Sequence, residues 1–184
     1  MDNGAGSYRR FRDGDDDGLV EIIKEYKDSL IFYINGFVGD LHTAEDLAEE
    51  TFVKLATKKP RFSGKSSFKT WLYSIGRNVA IDFLKHRAKA NEVQLDESIS
   101  LSDTVNFESN FLKEERKVIL HRAMQKLRPE YRQVLNLVYF EDFSNKEVAA
   151  VIKKSVHNAE MLVCRARQAL KTELEKEDFV YEDL

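Results

Sequence analysis

A chain of 184 residues with 42% hydrophobic and 33% charged residues can build a real core, as one medium domain or two small ones. Only 2 Pro and 8 Gly occur, which argues against an all-β protein with its many turns. The net charge is −3, yet residues 58–89 hold Lys58, Lys59, Arg61, Lys65, Lys69, Arg77, Lys85, Arg87 and Lys89 against Asp82 alone, a local +8 that leaves −11 for the remainder. A basic block on an acidic chain is either a solubilising face or a polyanion-binding surface, with other partners elsewhere. Cys164 is the only cysteine, so no internal disulfide can form and a reducing cytoplasm is the expected setting. No signal-peptide core stands near Met1, and the longest apolar run, Leu30 to Ile34, is far too short to span a bilayer, so membrane insertion is not expected.

Residues 1–16 are polar, with an Arg-Arg-Phe-Arg stretch before clustered aspartates, and read as a disordered lead. From Leu19 onward Ile22, Ile23, Tyr26, Leu30, Ile34 and Phe37 recur at helical spacing, and this helix should end near Gly36 to Gly39. A second helix is predicted to open at Thr43 with a capping box, burying Ala44, Leu47, Ala48, Phe52 and Leu55. Its outer face carries Glu45, Asp46, Glu49 and Glu50 near the positive end of the helix dipole. After Pro60 and Gly64 a third helix, about 67–89, has Phe68, Trp71, Leu72, Ile75, Val79 and Phe83 as its core stripe; Trp71 in that stripe reads as packing rather than as a stacking wedge. Residues 91–107 are acidic, Ser-bearing and aperiodic, and read as a flexible linker. Beyond it Phe111, Val118, Ile119, Ala123 and Leu127 suggest a helix, and Pro129 suits the first turn of the next, which buries Tyr131, Val134, Leu135, Val138 and Tyr139. Ser144 and Glu147 form a capping box for a short helix with Val148, Ala149 and Ile152 inward. A turn at Lys153, Lys154 and Ser155 leads to a last helix with Ala159, Leu162, Val163, Ala166, Leu170 and Leu174 on one face. That is the helix-turn-helix outline, which by pattern alone also occurs as an ordinary helical corner.

Two segments carry a resemblance. Thr43–Leu55 (TAEDLAEETFVKL) with Arg61–Leu84 (RFSGKSSFKTWLYSIGRNVAIDFL) resembles the sigma-2 domain of RNA polymerase sigma factors. Leu127–Ala149 (LRPEYRQVLNLVYFEDFSNKEVA) with Cys164–Leu170 (CRARQAL) resembles sigma-4. Order and spacing are similar to the extracytoplasmic-function type of the sigma-70 family. The resemblance implies an all-α fold of two small helical domains, a sigma-2 bundle over 17–90 and a sigma-4 helix-turn-helix over 108–177. An acidic linker joins them over 91–107, and 178–184 form a tail.

It implies an initiation factor, not an enzyme, that binds core RNA polymerase and directs it to promoters. Asp46, Leu47, Glu49, Glu50 and Phe52 occupy the positions that dock on the clamp helices of the polymerase's largest subunit. Clustered carboxylates repel one another without a cationic partner, which suits such docking; a dipole-complementing helix start is the bland alternative. The flap of the second-largest subunit is the further polymerase contact. Arg61, Lys65, Lys69, Arg77, Asn78, Lys85 and Arg87 fall where the family captures the opened −10 element, with Arg87 to Asn91 as a base-reading loop. Lys153, Lys154, His157, Asn158, Glu160, Met161, Cys164, Arg165 and Arg167 fall where it reads the −35 element. There the chain departs from the family: it has Glu160 where a cation is usual, and a glutamate can accept from cytosine N4. An anti-sigma factor is a further partner the family allows.

Gly64, Lys65 and Ser66 superficially suggest a phosphate-binding loop, but Lys59 stands where that motif needs glycine. His42, His86, His121 and His157 have no ligand spacing among them, so no metal, cofactor or catalytic constellation is expected. Two rivals remain from the sequence: a free-standing helix-turn-helix regulator, and a protein that docks on polymerase without reading DNA.

Overall fold

The computed structural model describes residues 3–93, 120 and 122–176, and every element among them is helical. The expected all-α class holds. The chain divides into two compact units; the first is built from α1 (Asn3–Arg12), α2 (Asp17–Val38), α3 (Leu41–Lys58) and α4 (Phe68–Val93).

α2 is the central strut and packs against α1, α3 and α4. Of its predicted stripe Ile22, Tyr26, Leu30 and Ile34 are buried at steps of four, as an amphipathic helix requires, while Leu19, Ile23 and Phe37 are only half-buried and Ile31 and Tyr33 join the core. α2 stops at Gly39, whose φ of 70° is the left-handed cap that glycine adopts without a Cβ penalty; its N–H closes on the Asn35 carbonyl. Asp40 then caps α3, its carboxylate accepting from the Thr43 N–H at 2.8 Å, so α3 begins at Leu41 and not at Thr43. The short polar side chain of Asp40 reaches the free N–H groups of the first turn, and Thr43 therefore serves inside the helix rather than as its cap. The expected α3 stripe is buried as a whole.

In α4 Phe68, Leu72 and Val79 are buried as expected, whereas Trp71, Ile75 and Phe83 are only half-buried and Tyr73 and Ala80 join the core. The core face of α4 is thus rotated from the predicted one. α4 also continues as helix through Arg87 and on to Val93, so Arg87 to Asn91 are not a loop. Ala88, Lys89 and Ala90 are good helix formers with no breaker among them, which lets the helix run on.

The reading of 1–16 as disordered is corrected as well. Residues 3–12 form α1, with Tyr8 1% and Phe11 4% exposed. Its few apolar side chains cannot support a fold alone, but they fill a slot on α2 and α4, and burying each large aromatic stabilises by about 1.5–3 kcal/mol. The Tyr8 hydroxyl donates to the Pro60 carbonyl at 2.6 Å, tying α1 to the α3–α4 connection.

The second unit contains α5 (Pro129–Tyr139) and α7 (Val156–Glu175), with α6 (Asn145–Ile152) leading into α7. Pro129 opens α5 as expected. Gln133, Val134, Leu135, Asn136 and Leu137 are all buried, so the middle of α5 is enclosed on every side. Tyr131, Val138 and Tyr139, expected inward, are only half-buried. α6 has the predicted capping box: the Ser144 N–H and Oγ donate to Glu147 at 3.0 and 2.7 Å, and the Glu147 N–H donates back to Ser144 Oγ at 3.4 Å. Lys153 adopts φ 56° in the turn, and Ser155 caps α7 by accepting from the Asn158 N–H. Ala123 and Leu127 are buried, as is the predicted α7 stripe except half-buried Leu162. Beyond Val93 the linker reading lies outside the described residues, as do Phe111, Val118, Ile119 and the tail 178–184.

Candidate functional site

Three surfaces carry the residues singled out above. On the first unit, the outer side of α3 presents Glu45, Asp46, Glu49 and Glu50, all exposed. Asp40 joins them at the helix entrance, its carboxyl held below the usual carboxylate range chiefly by the Thr43 hydroxyl and N–H. Counter-charge is sparse along this ridge: Lys54 reaches Glu50 at 2.8 Å, and the His42 ring lies 3.8 Å from Glu45. Beside the ridge a groove of about 550 Å³ runs between α2 and α3. Leu19, Ile23, Phe52 and Val53 supply its apolar lining, and Glu45, Asp46 and Glu49 its acidic rim.

The structure sorts the residues predicted here. Asp46, Glu49 and Glu50 are on the surface, and Phe52, though 6% exposed, lines the groove with its edge. Leu47 is 4% exposed and packs into the bundle core, so its side chain is structural and cannot meet a partner. It falls on the inward stripe with Ala44, Ala48 and Leu55, and sequence proximity to the acids does not put it on their face. Leu19, Ile23 and Val53 were not anticipated as surface. Val53 is 49% exposed, an apolar side chain off the core stripe, and that mismatch is the signal available from the sequence.

The second surface is basic. Arg61 and Lys65 are exposed in the connection between α3 and α4, and Lys85 and Arg87 are exposed on α4. Lys69, Arg77 and Asn78 are half-buried; Lys69 lies over the Tyr73 ring at 5.8 Å, and the Nε of Arg77 is buried. These side chains do not share one face. What α4 does align, at intervals of seven residues, is Trp71, Asn78 and Lys85. Trp71 is held in an aromatic cluster, its ring 5.2 Å from Tyr8, 5.2 Å from Phe62 and 5.5 Å from Phe68, as expected of a packed side chain.

The third surface is α7. With Ala159, Val163, Ala166 and Leu170 buried, the opposite side exposes His157, Met161, Cys164 and Gln168. Asn158, Glu160 and Arg165 flank that stripe, and Lys153 and Lys154 are exposed in the turn before it. Arg167 stands to one side, its guanidinium 5.7 Å from the Tyr139 ring, a contact that restrains it. Gln168 was missed, because a glutamine carries no charge signal; its place two turns after Met161 on the same face would have shown it. Amide side chains such as Asn158 and Gln168 can pair bidentately with adenine, and the exposed cations can follow phosphate.

Comparison with known proteins matches two family models in this order: sigma-70 region 2 over residues 22–90, and sigma-70 region 4 over residues 117–170. The RNA polymerase sigma factor SigZ of Bacillus subtilis is 30% identical over 157 residues, covering 85% of this chain and 87% of its own. The ECF RNA polymerase sigma factor SigW of the same organism is 27% identical over 177 residues, with 90% and 94% covered. Among solved structures, the sigma factor RpoE of Bartonella quintana, in complex with the anti-sigma factor NepR, superposes with a TM-score of 0.64 at 22% identity, covering 84% of this chain and 95% of that one. CnrH in complex with the cytosolic domain of CnrY gives 0.62 at 21% identity, covering 95% and 96%.

Proposed function

The chain belongs to the sigma-70 family, as an RNA polymerase sigma factor of the extracytoplasmic-function type, and from that premise we propose how its surfaces divide the work of promoter selection. The acidic ridge Asp46, Glu49 and Glu50, with Phe52 and the groove beside it, docks on basic helices of the polymerase's largest subunit. Carboxylates brought together on one helix face relieve their mutual repulsion when a cationic surface arrives, and the apolar groove adds burial that does not depend on salt. The domain boundaries are those of the sequence reading, 17–90 and 108–177, with the first extended back to Asn3 by α1.

The basic surface of the first unit takes the opened −10 strand. Arg61, Lys65, Lys85 and Arg87 follow phosphate; Asn78, in line with Trp71 and Lys85, offers hydrogen bonds to a base edge. Lys69 and Arg77 are more restrained and act closer to the protein surface. In the second unit α7 enters the major groove at −35. Lys153, Lys154, Arg165 and Arg167 hold the backbone, while His157, Asn158, Glu160, Met161 and Cys164 face bases. Gln168 joins this second group. The protein works by binding and the polymerase supplies the chemistry, in the cytoplasm where core polymerase resides. The flap of the second-largest subunit is a further contact. The two solved neighbours named above are complexes, one with the anti-sigma factor NepR and one with the cytosolic domain of CnrY, and an anti-sigma factor is a partner proposed here by that likeness.

The observation that carries this reading is the presence, in one chain and in order, of regions 2 and 4, the first with an exposed acidic ridge and the second with a capped helix-turn-helix. Run-off transcription by core polymerase, with and without the protein, on a library of promoter fragments tests it. Starts that share a −35/−10 pattern and require the protein support the reading. Binding to core without promoter-dependent starts would leave a docking protein, and operator binding by the isolated chain a free-standing regulator.

A further inference from the structure

Of the three arginines of α1, the bundle treats Arg10 and Arg12 differently. Arg10 lies on the flank that faces α2, where it pairs with Glu21 and, at 3.4 Å, with Asp15. Arg12 lies one turn after Tyr8, on the same flank as that side chain. Tyr8 faces the connection between α3 and α4, donating to the Pro60 carbonyl at 2.6 Å. Lys59 also meets α1, its Nζ 4.4 Å from the centroid of the Phe11 ring. The hydroxyl of Tyr8 feels the Arg12 charge, which opposes the upward push of burial on its pKa. Arg12, Lys59 and Arg61, all three exposed, thus belong to two segments that these contacts hold together, the C-terminal end of α1 and the start of the α3–α4 connection.

We propose that α1 extends the nucleic-acid surface of the first unit, with Arg12 as a phosphate-contacting cation beside Lys59 and Arg61, and promoter DNA as its occupant. The inference rests on the sigma reading above and adds to it a segment outside the residues matched by the region 2 model, which begin at residue 22. DNA is the occupant because Arg12, Lys59 and Arg61 are cations and α1 is tied by the Tyr8–Pro60 hydrogen bond to the segment that carries Lys59, Arg61 and Lys65; the exposed Asp13, Asp15, Asp16 and Asp17 after α1 bound this cationic surface. A strand held at Arg61 would meet Lys59 two residues back along the chain, and Arg12 on the helix that Lys59 touches. The acidic ridge on α3, by contrast, suits a cationic protein.

The test uses holoenzyme assembled from core polymerase with the wild-type chain, Arg12→Ala or Arg12→Lys. Affinity for a promoter fragment identified by the run-off experiment is measured across a salt series, as duplex and as a fork opened at −10. Arg12→Ala should bind several-fold more weakly at low salt, with the slope of log K against log salt shallower by roughly 0.7–0.9, the value of one phosphate contact. Arg12→Lys should keep the wild-type slope, and all three should bind core polymerase equally. Wild-type affinity and slope for Arg12→Ala would overturn the proposal, as would a weaker binder with an unchanged slope. If the wild-type holoenzyme itself selects no promoter, it is the sigma reading that fails; selection by wild type with no effect of Arg12→Ala sinks the α1 surface alone.

Discussion

Substituting Gly18 by alanine should strain and loosen the seat of α1 on the first unit. A Cβ at this position would stand 2.2 Å from the Ser7 carbonyl oxygen and 2.9 Å from the Phe11 backbone nitrogen. Ordinary contact begins near 3.4 Å, so α1 would have to retreat by about 1 Å, and the neighbours at fault are backbone atoms that cannot rotate away. Keeping α1 in place against that overlap costs about 1–3 kcal/mol. Releasing it instead forfeits the burial of Tyr8 and Phe11, of order 3–6 kcal/mol together before the recovered chain entropy is counted. The cheaper route sets the outcome, so a loss of about 1–3 kcal/mol with α1 retained but loosened is expected. Trp71 is the only tryptophan in the chain and its ring lies 5.2 Å from Tyr8, so its fluorescence reports α1 docking during urea unfolding. Trypsin offers a second readout at Arg9, Arg10 and Arg12, whose peptide bonds become accessible when α1 leaves. Gly6→Ala is the matched control: a Cβ there meets nothing within 4 Å, and in a helix interior alanine should be neutral or better by up to about 1 kcal/mol. A Gly18→Ala protein with wild-type stability and wild-type resistance to trypsin would refute this account of how α1 is seated.

The remaining predictions concern the other contacts. Burial pushes the Tyr8 hydroxyl up to about 12 from its ordinary 10, so the unfolded chain loses this proton first as pH rises. Its stabilisation is whole below pH 10 and lost through pH 12; thermal unfolding should show wild type losing stability relative to Tyr8→Phe across that window, after a wild-type advantage of about 1 kcal/mol at neutral pH. Ser144→Ala removes one side of the α6 capping box and should cost about 1 kcal/mol in thermal unfolding of the second unit, with Ser144→Thr close to wild type. Reversing Asp46, Glu49 and Glu50 to lysine should weaken binding to core polymerase by tenfold or more at low salt, in a pull-down or titration, without lowering the melting temperature by more than a few degrees. Leu47→Ala should behave oppositely, destabilising by about 2–5 kcal/mol because it empties a core position; equal effects from both variants would mean that the ridge is structural.

Helical period alone determined most of the architecture: the stripes of α3, α6 and α7, the centre of that of α2, the stops at Gly39 and Pro60, and the Ser144–Glu147 box all follow from local spacing and local hydrogen bonding. Charge likewise located the acidic ridge and the basic segment, because charged side chains off an apolar stripe go to solvent wherever the helix packs. Tertiary structure decided what local pattern cannot encode. Residues 3–12 form a helix only because α2 and α4 offer a slot for Tyr8 and Phe11, with Gly18 letting the backbones close. Leu47 and Glu49 are neighbours in sequence but are separated by the wall of the bundle, and Phe52 meets solvent only along the edge that the α2–α3 groove leaves open. Arg10 and Arg12 look equivalent on paper. One pairs with Glu21 and the other stays exposed at the end of α1 near the Tyr8 hydroxyl, because the direction in which α1 crosses the bundle decides which flank meets which charge, and that crossing exists only in the folded chain.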